Sequence, residues 1–372
     1  MSQTPVLNHK QVVSLIKAVG HMRTVIVCGE NGVGKTAIQN DLRNDPAFLG
    51  FHVMKPVDCM QLSDGSVWMP DIDREAGVSR ELPNERFNVG KHNHKGISGA
   101  TPSIICLDEV LKAPNYIKNV LAPILYERRI GNFEYAPNSI VWGSSNLMSE
   151  GLGDILQAHF RTRIIRVSMG KPNKDEWVND FAIPNNLHPV IIATAEMHPR
   201  MFESFTDFEE GGKYANKRFD NEWIYNPKVV QDGYASPRTL HAASDVMYTC
   251  ENLDNTTLLA ALCGTVGEAT ARAIMAVYTL GAELPSFERI VADPVNTPVT
   301  TNATAQLVQV FKFVTVVSSR EEADAVCTYV KRLRAEMTML FVNLVSTSSK
   351  VLTFATVAQF QEMLRARKDT SL

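Results

Sequence analysis

The 372-residue chain lacks several features that would place it in a restricted class of proteins. Its six cysteines include no Cys-x-x-Cys pair, and Cys28 and Cys106 lie inside apolar runs, which indicates reduced, buried thiols in a cytosolic protein. No stretch reaches about 18 uninterrupted apolar residues, so no membrane span is expected. The first residues, MSQTPVLNHKQ, contain no apolar signal region, which favours a cytoplasmic location.

The charge balance also lacks a strong bias. There are 37 basic and 40 acidic residues, giving a net charge of −3, so nothing points to a polyanion as the main partner. This disfavours a DNA motor only weakly, because a basic channel can lie inside an acidic protein. Apolar residues make up 45% and charged residues 21% of the chain, an ordinary globular balance, and the length suggests two or three domains.

The first 170 residues alternate between strand-like and helix-like segments. Short apolar runs predict strands at 24–28, 52–58, 102–110, 138–146 and 163–169. Amphipathic segments between them predict helices at 9–20, from 35 onward and at 115–129. Alternation of this kind predicts an α/β fold with a parallel five-stranded sheet that is covered by helices on both faces.

After residue 170 the strand pattern stops. Long helical patterns cover 258–283 and 319–345, and the Pro- and Thr-rich stretch 284–305 reads as a linker or an extended excursion. We therefore expect three domains: a nucleotide-binding core at 1–170, a helical lid at 171–250 and a helical C-terminal extension at 251–372.

The most specific motif is a complete Gly-x-x-x-x-Gly-Lys-Thr loop between a predicted strand and a predicted helix. Its glycines allow backbone N–H groups to surround phosphate oxygens, and the following helix directs its positive dipole end at the same anion. Lys35 should reach the β- and γ-phosphates, and Thr36 should ligate Mg²⁺. The predicted nucleotide-binding residues are Gly29, Glu30, Asn31, Gly32, Val33, Gly34, Lys35, Thr36 and Ala37.

Two acids end the apolar run Ile104–Leu107. Asp108 and Glu109 therefore lie at the C-terminal end of a buried strand, where open α/β sheets bind their ligands. We expect Asp108 to hold Mg²⁺ through water and Glu109 to orient the water that attacks the γ-phosphate.

Three further polar positions fit the same chemistry. Asn146 ends the fourth predicted strand and could fix the attacking water. Arg161 and Arg163 precede the fifth strand and could reach the γ-phosphate bound by a neighbouring subunit, because an arginine acting in trans neutralises transition-state charge. Arg238 follows Ser236-Pro237 at a helix start.

These pieces, in this order, resemble the MoxR-like members of the helix-2-insert branch of AAA+ ATPases. The segment after the acid pair, DEVLKAPNYIKNVLAPILYERRI, is similar to that family's DE-[IL]-x-R-A-P…LLE-x-x-E-x-R stretch. Residues 61–83 and 171–182 also resemble family segments, and the likeness extends over 9–245 and weakly into 258–300. The chain departs from the family at Asn146-Leu147 (usually Asn-Pro), at Lys112 (usually Arg) and at Arg163-Ile164 (usually Arg-Phe).

The resemblance implies a P-loop AAA+ core followed by a helical lid and a helical C-terminal region. It assigns Asp108 and Glu109 to Walker B, Asn146 to sensor 1 and Arg238 to sensor 2. It matches Arg163 best to the arginine finger, with Arg161 second. It further implies ATP and Mg²⁺ as cofactors, a ring that is usually hexameric, and chaperone-like remodelling of a protein partner, in many members one with a von Willebrand factor A domain.

Two other functions stay open at this point. One is a nucleic-acid-directed AAA+ motor or translocase. The other is a GTPase, which is disfavoured because no Asn-Lys-x-Asp guanine motif is present: Asn173-Lys174 is followed by Asp175-Glu176.

The segment 60–96 is too long for a plain connector, which makes it a candidate functional loop. Trp68-Met69-Pro70 is predicted to form an exposed apolar tip that grips a protein partner. The alternative is that Trp68 packs against the core of its own domain.

Overall fold

The computed structural model describes residues 5–63, 65–146, 162–209, 212–215, 217–250, 252–282 and 284–370. The chain forms two compact units, Met1–Lys171 and Pro172–Leu372. The predicted further division at residue 250 stays a prediction. In the second unit, one continuous cluster of buried side chains contains residues from both sides of that position, such as Trp177 and Phe311.

A parallel sheet forms the centre of the first unit. Its strands are β1 (Val6–Leu7), β2 (Thr24–Cys28), β3 (His52–Val53), β4 (Val57–Asp58), β7 (Ser103–Asp108), β10 (Ile140–Ser145) and β11 (Ile164–Met169). They are arranged in the order β1-β11-β2-β10-β7-β3, and β4 also pairs with β7. The predicted strand at 52–58 is thus two short strands, and β1 was not predicted. The five predicted strand segments otherwise lie side by side in this sheet.

Apolar residues of the strands face both sides of the sheet, as expected for a parallel sheet covered by helices. Along β2, Ile26 and Cys28 belong to one buried cluster, whereas Val25 and Val27 belong to another. The covering helices are α1 (His9–Val19), α2 (Ala37–Asn44) and α3 (Asn115–Glu127). α1 begins with a capping box in which Asn8 and Gln11 exchange hydrogen bonds, which satisfies N–H groups that the first helical turn leaves unpaired.

The candidate functional loop contains an antiparallel hairpin, β5 (Trp68–Asp73) and β6 (Val78–Pro83). The prediction of an apolar tip at Trp68 is wrong, because Trp68 pairs with Pro83 at the base and residues 74–77 form the tip. Trp68 is half-buried against the core, as in the alternative reading, whereas Met69 and Ile72 are 58% and 69% exposed. Along β5 no residue is fully buried, so the strand has no buried apolar face that would reveal it in the sequence.

A second short hairpin, β8 (Arg129–Ile130) and β9 (Phe133–Glu134), follows α3 directly. Its turn residue Gly131 has φ +53°, and a Cβ atom there would lie 2.7 Å from Cβ of Glu81 on β6. The two hairpins therefore touch at a point where a side chain at residue 131 would collide with Glu81.

Among the described residues of the second unit, the regular elements are all helices. Its helices are α4 (Lys174–Trp177), α5 (Pro189–Met197), α6 (Pro237–Thr249), α7 (Asn255–Val266), α8 (Glu268–Ala282), α9 (Phe287–Ala292), α10 (Ala303–Val316), α11 (Arg320–Val330), α12 (Ala335–Thr347), α13 (Val351–Ala355) and α14 (Ala358–Thr370). A π-helical turn, Val178–Ala182, continues α4.

Three predictions for the second unit need correction. The pattern at 258–283 is two helices, separated at Gly267, whose φ of +81° lies in the left-handed region that favours glycine. A Cβ atom there would also lie 2.4 Å from the Gly233 carbonyl oxygen. The pattern at 319–345 is likewise two helices, and the expected linker at 284–305 contains α9 and the start of α10.

The predicted α/β class is confirmed: the first unit contains a parallel sheet covered by helices, and helices follow it in the second unit. Among the described residues, no helix is both long enough and apolar enough to cross a bilayer.

Candidate functional site

The glycine loop connects the buried strand β2 to α2. Gly32 and Gly34 have φ values of +77° and +101°, which residues with a Cβ atom rarely adopt, so both motif positions use the conformational freedom of glycine. A Cβ atom at Gly34 would meet no atom within 4 Å, which leaves room beside the loop backbone. α2 begins at Ala37, two residues later than predicted, with Thr36 as its N-cap residue.

Lys35 is buried within this loop, with 8% of its surface exposed. Its ammonium donates to the carbonyl oxygens of Gly29 (2.7 Å) and Glu30 (2.8 Å) and to Oδ1 of Asn146 (2.8 Å). The Asn146 contact joins the glycine loop to the end of β10. The structure therefore brings two of the predicted site residues, which are 111 positions apart in the sequence, into direct contact.

Gln39 fixes α2 against the sheet beneath the loop. Its side-chain N–H groups donate to the carbonyl oxygens of Met54 (2.8 Å) and Ile104 (3.3 Å), and its Oε1 accepts from the Trp142 indole (2.7 Å). One fully buried amide thus connects the helix that follows the glycine loop to residues of three chain segments.

Asp108 ends β7, at the same edge of the sheet as the glycine loop. Its Oδ1 accepts a hydrogen bond from the Ser144 hydroxyl and a second from the Glu109 backbone N–H, at 3.2 Å. Ser144 lies on β10, one residue beyond the Gly143–Leu107 pair, so the parallel register places it beside Asp108. Two donors therefore converge on Oδ1 of Asp108.

Glu109 has an unusual backbone conformation, with φ +51°. Its Oε2 is buried and, within the described part of the chain, accepts no hydrogen bond, although Lys112 Nζ lies 3.3 Å away. The Lys112 ammonium offsets the charge of this oxygen, and a ligand or water can supply the hydrogen bond that it lacks. Glu109 is therefore placed to accept a proton or to orient a polar molecule.

The neighbourhood of the acids also contains a buried thiol. Burial, and then the Asp108 carboxylate, raise the pKa of Cys59 well above its usual range. Cys59 therefore stays neutral and adds no charge beside the acids.

The predicted arginines are placed as follows. Arg163 is exposed and lies over the Tyr126 ring, 5.2 Å from its centroid to the guanidinium carbon. Burial raises the pKa of Tyr126 to about 12, and Arg163 acts in the opposite direction. Arg161 lies outside the described residues. Arg238 is exposed in the first turn of α6, in the second unit, after the Ser236 N-cap.

The donor set fits the nucleotide and metal that the sequence suggests. Carboxylate and hydroxyl oxygens such as those of Asp108 and Thr36 are ligands that Mg²⁺ prefers. The glycine backbone conformations, the space beside Gly34 and the incomplete coordination of the Glu109 carboxylate suit a phosphate chain and a water molecule.

Two residues of the site were not singled out for a role by sequence reasoning. The sequence alone does not show that Ser144 lies beside Asp108, because this depends on the register between β7 and β10. Lys112 follows Glu109 by three residues, and an opposite charge at that spacing could have predicted their ion pair from the sequence.

No protein-family model matches this sequence, and no curated protein matches it. Among solved structures, the chain is similar to a mutant of RuvB from Thermotoga maritima, at 15% identity and a TM-score of 0.34, over 80% of each chain. It is similar to NtrX from Brucella abortus in complex with ADP, at 14% identity and a TM-score of 0.39, over 91% of this chain and 70% of that one. It is also similar to the S. cerevisiae Hsp104-ADP complex, at 11% identity and a TM-score of 0.34, over 97% of this chain and 48% of that one. Likenesses of this size say nothing about activity, so the case for a function depends on the site itself.

Proposed function

We propose that this protein is an AAA+ ATPase that hydrolyses ATP with Mg²⁺. The observation that supports this most is the hydrogen bond between Lys35 and Asn146, together with the bond between Ser144 and Asp108. These two contacts gather the glycine loop, the acid pair and the polar end of β10 at one edge of the sheet. P-loop enzymes need these groups together, because their catalysis is largely positioning and charge stabilisation.

Each residue has a distinct role in this proposal. The backbone of Gly29–Thr36 and the first turn of α2 bind the phosphate chain, and Lys35 neutralises charge on its outer phosphates. Thr36 and Asp108 hold Mg²⁺, which when bound offsets the negative charge that grows in the transition state. Glu109 and Asn146 orient the attacking water, and Glu109 is the group that can take its proton.

Two variants test the assignment. Lys35→Ala should abolish ATP binding, because the phosphate site loses its cation. Glu109→Gln should bind ATP but hydrolyse it at least ~10²-fold more slowly, the scale for losing a positioned acid or base. Binding is measured with a fluorescent nucleotide and turnover by phosphate release. Lys10→Ala, an exposed lysine on α1, is the control and should behave as wild type. Wild-type turnover by Glu109→Gln would refute the assignment.

We also propose that the active form is a ring, most simply a hexamer, in which Arg163 or Arg161 completes the neighbouring subunit's site and Arg238 serves as the sensor 2 arginine. The exposed position of Arg163 supports this, since a residue that acts on another subunit must be accessible. Arg163→Ala should keep ATP binding and lose hydrolysis. Mixing it with Glu109→Gln should restore part of the activity, because some interfaces then contain both intact groups.

Arg161→Ala, tested in parallel, distinguishes the two arginines. Mixed rings that assemble but show no recovery would exclude a role in trans for the residue concerned.

The work done by hydrolysis is proposed to be the remodelling of a protein partner in the cytoplasm, as in MoxR-like proteins that act with a von Willebrand factor A domain. The exposed apolar side chains Met69 and Ile72 on the β5–β6 hairpin favour contact with protein rather than with a phosphate backbone. Measuring ATPase stimulation by single- and double-stranded DNA tests the alternative, a nucleic-acid motor. Strong stimulation by DNA would favour that alternative.

A further inference from the structure

Ser144 holds the residues on both sides of Glu109. Its hydroxyl donates to Oδ1 of Asp108, and its carbonyl oxygen accepts from the backbone N–H of Val110 at 3.1 Å. Ser144 itself is 1% exposed, so neither contact is exchanged with water. One residue of β10 thus fixes the position before and the position after the predicted catalytic acid.

This contact accounts for two features of the acid pair. The hydroxyl of Ser144 and the Glu109 N–H both donate to Oδ1 of Asp108, which fixes the orientation of this carboxylate at the strand end. The left-handed backbone of Glu109, at φ +51°, is unfavourable for a residue with a side chain and persists only where neighbouring contacts fix it. The bonds from Ser144 to Asp108 and Val110 are such contacts.

We infer that Ser144 is a positioning residue that orients Asp108 for the metal ion. The inference rests on the proposed function, because it concerns the same Mg²⁺. Groups that hydrogen-bond to a metal ligand fix its orientation, and their loss typically costs 10–100-fold in metal affinity or activity. A hydroxyl is required for this role, whereas a merely space-filling role would need only a small side chain.

Ser139 provides a matched comparison within the same part of the chain. It is also buried, and its hydroxyl donates to the Ala136 carbonyl and accepts from the Ser103 N–H. It precedes β10 at the end opposite to the acids. Ser139→Ala therefore reports the structural cost of removing a buried serine hydroxyl without touching the acid pair.

The experiment measures Mn²⁺ binding by electron paramagnetic resonance, in the presence of a non-hydrolysable ATP analogue, for the full chain. Ser144→Ala should weaken Mn²⁺ binding by about tenfold or more, the range for lost support of a metal ligand. Ser144→Thr, which keeps the hydroxyl, should restore most of the affinity. Ser139→Ala should bind Mn²⁺ as wild type does. Nucleotide affinity without metal should be unchanged in all three variants.

Wild-type Mn²⁺ affinity in Ser144→Ala would overturn the inference while leaving the proposed function intact, provided that the wild-type chain hydrolyses ATP. A wild-type chain that binds neither nucleotide nor metal would overturn both. If Ser144→Ala does not fold, Ser144→Cys replaces it, because a thiol is a weaker donor. Metal affinity for Ser144→Cys below that for Ser144→Thr supports the inference, and equal affinities overturn it.

Discussion

Buried polar side chains have different partners in the two units. In the first unit, Gln39 and Ser144 connect segments that are far apart in the sequence. In the second unit, some satisfy the backbone of their own helix, as when Ser236 accepts from the Thr239 N–H and Thr194 donates to the Val190 carbonyl. Others connect separate helices, as Ser244 does by accepting from the His188 N–H. Both sets avoid the cost of an unpaired buried polar group, but only the first converges on a candidate site.

This difference predicts which substitutions change ligand binding and which change mainly the free energy of unfolding. A buried polar group that connects distant strands at the site can be changed with effects on ligand binding. A buried residue of the helical unit should affect mainly the free energy of unfolding. The following experiments test that contrast, beginning with the largest expected change in stability.

Phe311 lies on α10 at the centre of the second unit and is fully buried. Phe311→Ala should lower the free energy of unfolding by about 3–5 kcal/mol, through lost burial and the cavity left behind. Urea unfolding followed by circular dichroism measures this. Val316→Ala on the same helix, at a position 43% exposed, is the control and should change little. An equally small effect of Phe311→Ala would show that the unit is not packed as described.

Gln39→Leu probes the buried amide of the first unit. The substitution keeps an aliphatic stem but leaves the Trp142 indole N–H and the Met54 carbonyl without their partner. The expected loss is about 2–3 kcal/mol, the range for leaving buried polar groups unsatisfied. Unlike Phe311→Ala, Gln39→Leu should also weaken nucleotide binding, because α2 directly follows the glycine loop and Gln39 fixes this helix to the sheet. Nucleotide binding is measured by titration.

Asn40→Ala, the exposed neighbour on α2, is the control for Gln39→Leu and should alter neither quantity. Loss of stability with unchanged nucleotide binding would contradict a connection between Gln39 and the site.

His188 gives the smallest expected effect, and it depends on pH. Burial, and secondarily Lys312, lower the pKa of His188 to about 4, and its Nδ1 accepts from the Val190 N–H at 3.3 Å. Because the unfolded histidine titrates near pH 6.5, the unfolded chain binds the proton first as the pH falls. The stabilisation is complete above about pH 6.5 and is lost as the pH falls towards 4.

The measurement compares unfolding free energies at pH 7 and pH 4.5 for wild type and His188→Asn, whose amide can still cap α5. The variant should lose less stability on acidification than wild type. His241→Asn, an exposed histidine of the same unit, serves as the control and should keep the wild-type difference. Identical pH dependence in His188→Asn and wild type would rule out His188 as the source.

Much of the central sheet could be predicted because its strands are short apolar runs. β2 has the predicted limits, and β7 and β10 lie within two residues of them, since a buried parallel strand has few polar residues. The β5–β6 hairpin could not be predicted, because its exposed residues carry no periodic apolar face. The break at Gly267 was present in the sequence as a glycine, but its positive φ depends on the close approach of Gly233.

For the candidate site, the sequence predicts which residue types gather, but not their pairing. The glycine loop and the acids could be predicted because each is a short motif whose residues are adjacent or nearly adjacent in the sequence. The contacts of Lys35 with Asn146 and of Ser144 with Asp108 depend on strand order, which no local pattern encodes. The roles of Asn146, Arg163 and Arg238 stay predictions, and Arg161 lies outside the described residues.

The contact between Gly131 and Glu81 supports the β5–β6 hairpin. A lone two-stranded hairpin is marginally stable and bends readily. Here its second strand rests against the turn of β8–β9, which continues directly from α3, and Glu81 packs against Gly131. Any side chain at residue 131 would force the two hairpins apart, so this glycine keeps the β5–β6 hairpin supported by the rest of the first unit.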